Sequence, residues 1–446
     1  MLNVLANRTY RHLFFAQVIA LVGTGLATVA LGLLAYDLAG AKAGQVLGTA
    51  LAIKMVAYVV VSPLATALLA RFPRRRVLVT FDLLRLLVAL MLPWVDAVWQ
   101  IYVLIFLLQA SSAAFTPTFQ ATIPDVLPDE EDYTRALSLS RLAYDMETLL
   151  SPMLAAALLA VVGNTMLFYG TAIGFLASAL LVVSVSLPGP RDVPASSFRQ
   201  RISRGVRLYL ATPRLRGLLA LNLVAAAGSS MVIVNTVVIV RESFKRGDSA
   251  VATALAAFGA GSMLLALSMP RLLKRFPDRA LMLGGGAVLV ACLLGLGMAW
   301  PQLLESPQAW PLLLAGWLLL GVGYAAIVTP SGRLLRRSAN DVDRPALFAA
   351  QFSLSHVCWL LAYPIVGWVG ARYGLQAAVL SMAAISIPGL LLAWRLWPRD
   401  DPETVAHEHP ELPAGHPHWQ AHGTEGRARH AHAFVIDDLH LRWPSR

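Results

Sequence analysis

"LLARFPRRRVLV" (residues 68–79) and "LLKRFPDRALML" (residues 272–283) agree at six of twelve positions and stand 204 residues apart. Each joins two long apolar stretches, and a stretch of about 20 apolar residues is enough to cross a bilayer as a helix. The same connection is therefore met twice, as in a chain built from two copies of a multi-helix unit. Working outward from both copies gives twelve candidate spans: 13–38, 45–69, 77–95, 99–120, 136–161, 164–187, 216–240, 250–270, 280–300, 310–331, 345–369 and 376–397. Spans 5 and 11 extend the repeat. "RALSLSRLAYDMETLLSPM" and "RPALFAAQFSLSHVCWLLAYPI" each carry a Leu-Leu pair shortly before a proline, Pro152 or Pro364.

Composition agrees. The chain has 446 residues, of which 57% are hydrophobic and 14% charged. Soluble domains carry about 25% charged residues, so the fold class expected is an all-α polytopic membrane protein, twelve transmembrane helices in two six-helix pseudo-repeat bundles. The organisation is an N-terminal bundle at 1–187, a linker at 188–215, a C-terminal bundle at 216–397 and a polar tail at 398–446. Within the linker, Phe198, Ile202, Val206 and Tyr209 repeat at helical spacing and predict a short amphipathic helix at the membrane interface. The net charge of +11 does not point to nucleic acid. Of 36 Lys and Arg, 29 fall at the N-terminus, in or beside the connections after even-numbered spans, and in the tail. Only 5 follow odd-numbered spans, and Lys54 and Arg85 complete the count. That asymmetry predicts both termini in the cytoplasm of a bacterial-type inner membrane. The first apolar stretch has full spanning length, so no cleavable signal is expected. Cys292 and Cys358 both sit in apolar stretches, which implies no disulfide framework.

Ionisable side chains at bilayer depth are costly and mark candidate functional sites. Lys54 lies in span 2, Asp82 and Arg85 in span 3, Asp145 and Glu147 in span 5, and His356 in span 11. Asp82 and Arg85 are one turn apart and suit a mutual ion pair, pairing with the loop arginines, or a gate. Asp145 follows Arg141 by one turn, so an ion pair within the helix is one reading for it. Glu147 lies on another face and is the favoured proton or cation site, with Asp145 the alternative. Lys54 has no partner in its own helix and suits a bridge to a carboxylate of another span, snorkelling, or a gate that repels cations. His356 and Cys358 fall at a depth similar to that of Asp145 and Glu147 when the two prolines are aligned. Imidazole, thiol and carboxylate together suit borderline divalent metals; a packed histidine and a small apolar cysteine are the plainer reading. Gln17, Gln109, Asn222 and Asn235 are candidate cavity-lining groups, although helix-to-helix hydrogen bonding is the commoner use of such residues.

The loop repeat also resembles the signature that major facilitator transporters carry after their second span, of the type Gly-x-Leu-x-Asp-Arg-x-Gly-Arg-Arg. Leu68, Arg71, Arg74 and Arg75 match it, and Arg275 repeats Arg71, while Thr66, Ala70 and Pro73 replace the expected Gly, Asp and Gly. The missing Asp leaves the loop's usual salt bridge without its acid, a role that Asp82 and Arg85 in span 3 are expected to take in part. The antiporter signature of span 5 survives only as "SPMLAA", with Pro152 retained. "NRTYRHLFFAQVIALVGTGLATVALGLLAYDL", "FTPTFQATIPDVLP" and "VIVNTVVIV" resemble the macrolide and multidrug efflux branch of that superfamily. "LFAAQFSLSHVCWLLAYPIVGW" and the tail are similar to its nickel-resistance exporters. The resemblance covers residues 1–397 and implies alternating access driven by a proton gradient in a monomer. No G-x-x-x-x-G-K-[ST] phosphate loop is present, and neither a nucleophile–base motif nor a cofactor fingerprint appears, so no enzyme is expected and no cofactor is required.

Eight of the ten histidines lie in the last forty residues, at 407, 409, 416, 418, 422, 430, 432 and 440. His407–His409, His416–His418 and His430–His432 are H-x-H units, and His422 adds a further ring. In extended chain, residues i and i+2 point the same way, so two imidazoles can converge on one divalent ion, as substrate or as tail ligand. The segment "HAFVIDDLHLRWP" (432–444) regains apolar residues and suits docking on the cytoplasmic face. The expected function is proton-coupled efflux of a Ni²⁺- or Co²⁺-like cation across the lipid bilayer. The alternatives are efflux of a macrolide-type drug on the same scaffold and a non-transporting membrane metal sensor.

Overall fold

The structure is a computed structural model that describes residues 2–61, 69, 72–129, 161–187, 198–340, 343–401, 404–408, 430–437, 439, 440 and 443, together with scattered positions between 132 and 159. The chain enters at Asn7, whose side chain caps α1 (Arg8–Ala39) by accepting the Tyr10 amide at 3.0 Å. Gly40, at φ +53°, ends α1 in the left-handed region that glycine tolerates without strain. α2 (Ala43–Val56) returns and continues as a π-helical turn, Ala57–Val61. α3 (Arg74–Met91) starts directly after the proline of the first loop repeat, and α4 (Val98–Val126) and α5 (Asn164–Val183) complete what is described of the first half. Span 5 lies largely outside the described residues.

α6 (Phe198–Ala211) is the linker helix expected from its apolar stripe. Its packing differs from the expectation of an interfacial helix. Tyr209 is fully buried and its hydroxyl donates to Gln351 Oε1 at 2.5 Å, while Arg204 Nε donates to Asp343 Oδ1 at 2.5 Å. The described end of the stripe thus faces protein.

The second half comprises α7 (Pro213–Val238), α8 (Asp248–Leu272), α9 (Asp278–Met298), α10 (Ala309–Val328), α11 (Ser331–Arg337), α12 (Arg344–Tyr373) and α13 (Leu375–Leu396). α9 starts directly after the proline of the second loop repeat, as α3 does after the first. Among the described residues, ten apolar segments are long enough to cross a membrane, and the first of them, Arg8–Val61, contains both α1 and α2. The outward faces remain apolar: Leu83, Leu87, Leu176, Leu180, Leu264 and Leu391 are all exposed, as lipid-facing residues are. This is an all-α polytopic membrane fold. After α13 the tail forms an antiparallel hairpin of β1 (Thr404–His407) and β2 (His430–Ala433).

Candidate functional site

Three arrangements carry chemistry: a centre between the halves, a seam that closes one end, and the tail hairpin at the other.

The centre draws on both halves. Lys54, one turn before the π-helical segment of α2, lies in electrostatic range of Glu147 and of His356 on α12. Its ammonium stands 5.9 Å from the Tyr58 ring, and the Tyr58 and His356 rings are 5.4 Å apart. Phe352 packs on His356 at 4.0 Å. His356 Nδ1 lies 2.6 Å from the Phe352 carbonyl. A carbonyl only accepts, so Nδ1 carries a proton. Tyr363 lies within electrostatic range of Glu147 and Tyr324. Glu147 and Lys54 thus come from different spans and lie within electrostatic range of each other. A Cβ on Gly25 would strike the Ser151 side chain, so α1 presents a glycine beside Ser151, with Glu147 Oε1 3.4 Å from where that Cβ would be.

His356 and Cys358 do not meet. Two residues along a helix are about 200° around it, and Cys358 is buried facing α7, its Sγ 3.9 Å from the Leu219 carbonyl. One ion cannot take both, so the ligand set read from span 11 reduces to His356. Gln17, Gln109 and Asn222 are buried, each with a side-chain polar atom that has no partner among the described residues. Polar groups that meet a substrate or water are set in this way. Asn235 departs from the cavity-lining expectation. Its Nδ2 donates to the Val366 carbonyl at 3.3 Å, and its Oδ1 would be struck by a Cβ on Gly44.

Asn235 belongs to the seam at the end of the bundle away from the termini. There Tyr36 Oη donates to Glu242 Oε1 at 2.6 Å and Trp368 Nε1 donates to Thr49 Oγ1 at 3.3 Å. A Cβ on Gly48 would come within 2.5 Å of the Tyr363 carbonyl, and one on Gly367 would strike the Gly44 carbonyl. Only backbones without side chains approach so closely. The halves thus close at this end.

In the first half, Asp82 and Arg85 pair with each other in the interior. Ser178 Oγ donates to Asp82 Oδ2 at 2.8 Å, and the guanidinium lies between the rings of Phe115 and Phe175, at 4.2 and 4.6 Å. The acid missing from the loop signature is supplied elsewhere: Arg74 pairs with Asp125 at the end of α4. Asp125 was legible only as part of "TIPDVLP", with no spacing that tied it to the loop. Arg75 Nη2 donates to the Val183 carbonyl at 2.5 Å, and Arg275 is exposed. Arg71, Arg141, Asp145, Pro152, His409, His416, His418 and His422 lie outside the described residues.

The tail hairpin gathers imidazoles. Its register pairs His407 with His430, and His432 lies two residues further on the same face. Ligand atoms of these three lie within 4.8 Å of one another. His440 returns to the group, its Nε2 at 3.0 Å from His407 Nε2. His407 Nδ1 donates to the Val405 carbonyl at 2.9 Å, and His440 Nδ1 donates to Asp437 Oδ1 at 2.9 Å. Both Nδ1 protons are thus committed, and the two Nε2 atoms face each other. They repel unless a proton or a cation sits between them. Burial, and after it the neighbouring rings of His432, His440 and His430, hold the His407 pKa down at about 4, so His407 Nε2 stays an acceptor. Burial raises the Asp437 carboxyl, but the His440 hydrogen bonds outweigh it and hold the pKa near 2, so Asp437 stays an acceptor. A carboxylate that fixes the tautomer of a ligating imidazole is the usual outer support of a metal site. Nitrogens about 2.0–2.1 Å from a tetrahedral ion stand roughly 3.4 Å apart, within the 3.0–4.8 Å found here. His440 was counted in the sequence, but only the return of the chain after β2 brings its ring to the group.

The family is shown by the sequence itself. The model of the Major Facilitator Superfamily matches twice, over residues 13–221 and 218–429, and the chain belongs to that superfamily. It is a multi-pass membrane transporter and not an enzyme. No curated protein matches the sequence. Among solved structures, the nucleoside transporter NupG superposes with a TM-score of 0.63 at 14% identity, covering 87% of this chain and 98% of that one. A D-xylose-proton symporter gives 0.64 at 15% identity, with 88% and 97% covered. A bacterial homolog of the human lysosomal transporter Spinster, inward-facing and unoccupied, gives 0.67 at 10% identity, with 87% and 96% covered. At these identities the likeness is one of fold.

Proposed function

We propose that the chain is a proton-coupled exporter of a borderline divalent cation of the Ni²⁺ or Co²⁺ kind, working by alternating access in a bacterial-type inner membrane with both termini cytoplasmic. The observation that carries this reading is the convergence of His407, His430, His432 and His440 in the tail, with Asp437 behind His440. Borderline divalent ions favour imidazole, and an exporter loads from the side on which the tail stands. At the centre, Glu147 carries the proton, Lys54 responds to its charge, and His356 lies within range of Lys54. The positive-inside asymmetry supports the orientation. The test is expression in an efflux-deficient host, comparing tolerance to Ni²⁺, Co²⁺, Zn²⁺ and a drug panel with and without residues 398–446. Protection against the metals that weakens on tail deletion supports the reading; protection against drugs alone ends it.

A second reading has its own support. Tyr58, Phe352, Tyr363 and Tyr324 give the centre an aromatic lining, which suits an organic substrate. On this reading the same scaffold exports a drug-like molecule, and the drug panel answers it.

A further inference from the structure

We propose that the histidine hairpin is a divalent-cation switch, in which an ion on His407, His430, His432 and His440 fastens the tail to the second half through Asp401 and Trp443. The proposal rests on the cation reading of the hairpin and is independent of what the bundle carries.

Two anchors flank the four ligands. Asp401 lies three residues before β1, and Trp443 lies three residues after His440. Both meet at one side chain. Arg214, at the start of α7 and only 2% exposed, has its Nε at 3.5 Å from Asp401 Oδ1 and its guanidinium 4.8 Å from the Trp443 ring. Asp401 is held further: its carbonyl accepts Arg337 Nη2 at 3.2 Å, and its carboxylate accepts Trp397 Nε1 at 3.2 Å. Trp443 stacks edge-on against Phe434, which is buried and touches His407 and His440. The ligands and the anchors thus share one small core.

The ion would do mechanical work here. Bringing Asp401 and Trp443 to the same arginine closes a long loop, and closure opposes docking more strongly as the loop lengthens. A cation that ties β1, β2 and the returning His440 together closes that loop inside the tail, so docking is left with little further ordering. The facing Nε2 atoms of His407 and His440, 3.0 Å apart, are where the ion ties the return segment to β1. Docking reaches the loop repeat. Arg337, which holds Asp401, also donates to Asp278 Oδ2 at 3.2 Å, and Asp278 opens α9 directly after the "KRFP" of the second repeat. These anchoring contacts all fall on the second half, apart from the Lys54–Glu147 centre, so the ion acts as a regulator beside the path rather than as cargo within it.

Reciprocity supplies the test. If the ion favours the docked tail, docking must favour the ion by the same factor. In full-length protein in lipid nanodiscs, Ni²⁺ is titrated against wild type, Asp401→Asn and Trp443→Ala, none of which alters an imidazole. The proposal expects both variants to bind Ni²⁺ more weakly by about fivefold or more. It also expects Ni²⁺ to slow amide exchange across residues 213–217 and 333–337 in wild type, and not in Trp443→Ala. His407→Ala with His440→Ala should abolish both effects. Equal affinity in wild type and both anchor variants overturns the switch, as does Ni²⁺ binding with no change in exchange at Arg214. Ni²⁺ export is followed separately in inverted vesicles. Absent export with intact coupling removes the exporter reading and supports the switch.

Discussion

Asp278 accepts Arg337 Nη1 at 3.2 Å, and the first half sets the same place with the charges exchanged, Arg74 standing 204 residues before Asp278 and pairing with Asp125. Each pair ties the connection after the second span of its half to the end of the fourth. The two copies make the corresponding contact with reversed polarity. In the second half a third partner, Asp401, joins from the tail.

Exchanging the charges in the first half should therefore be tolerated. Arg74→Asp and Asp125→Arg singly place like charges together in a poorly hydrated site, at a cost of about 3–5 kcal/mol each. We expect each single variant to lose at least about tenfold in transport rate, equivalent to 1.4 kcal/mol in the barrier, and the double variant to recover most of it. Vesicle uptake at matched protein levels measures this. Single variants as active as wild type would remove the pair from the transport cycle.

Asp82 and Arg85 call for a different treatment, because their pair is interior and supported by Ser178, Phe115 and Phe175. Asp82→Ala leaves a guanidinium between two phenyl rings without its acid. Removing one partner of a buried pair costs about 3–5 kcal/mol, while replacing both by apolar groups is often nearly neutral. Thermal unfolding in detergent should show Asp82→Ala strongly destabilised and Asp82→Ala with Arg85→Leu close to wild type. The reverse order would mean that Arg85 is held by its rings alone.

How much of this was legible depended on the range of the interaction. The loop repeat, the apolar blocks and the Lys/Arg asymmetry are local patterns, and they were enough for the two-bundle membrane fold. The Asp82–Arg85 pair was readable for the same reason, since i, i+3 spacing places both groups on one face. Lys54 and Glu147 were each recognisable as costly charges, but their approach depends on how two spans pack, and no spacing encodes it. The His356–Cys358 reading came from depth alone. It ignored the 200° between them, which sends the thiol to α7 and the ring to Tyr58. In the tail, the H-x-H period showed His430 and His432 sharing a face. Which distant rings would join them was set by hairpin register and by the return at Asp437, and neither leaves a mark in the sequence.

At the centre, Glu147→Gln separates coupling from carriage. Gln keeps the shape and cannot take up and release a proton. With whichever substrate the tolerance panel identifies, we expect gradient-driven accumulation in vesicles to fall by about tenfold or more while substrate counterflow persists. Lys54→Gln should weaken both, because the half-buried carboxylate loses the cation in electrostatic range of it. Undiminished accumulation in Glu147→Gln would move the proton site elsewhere.

The seam gives the sharpest steric prediction. A Cβ on Gly48 would sit 2.5 Å from the Tyr363 carbonyl, an atom of helix backbone that cannot rotate aside. Carbon needs about 3.5 Å from such a neighbour, so Gly48→Val must push α2 from α12 by about 1 Å. That breaks the Thr49–Trp368 hydrogen bond and releases the Asn235 amide from the Val366 carbonyl. The end away from the termini then loses its closed form and the cycle stalls open on that side. Transport should fall by at least about tenfold, and a cysteine at position 235 should become reactive to a membrane-impermeant thiol reagent applied from that side. The same variant at Gly284, where an added Cβ meets nothing within 4 Å, should leave both readouts unchanged. If Gly48→Val transports normally and position 235 stays protected, the seam is not what closes that end.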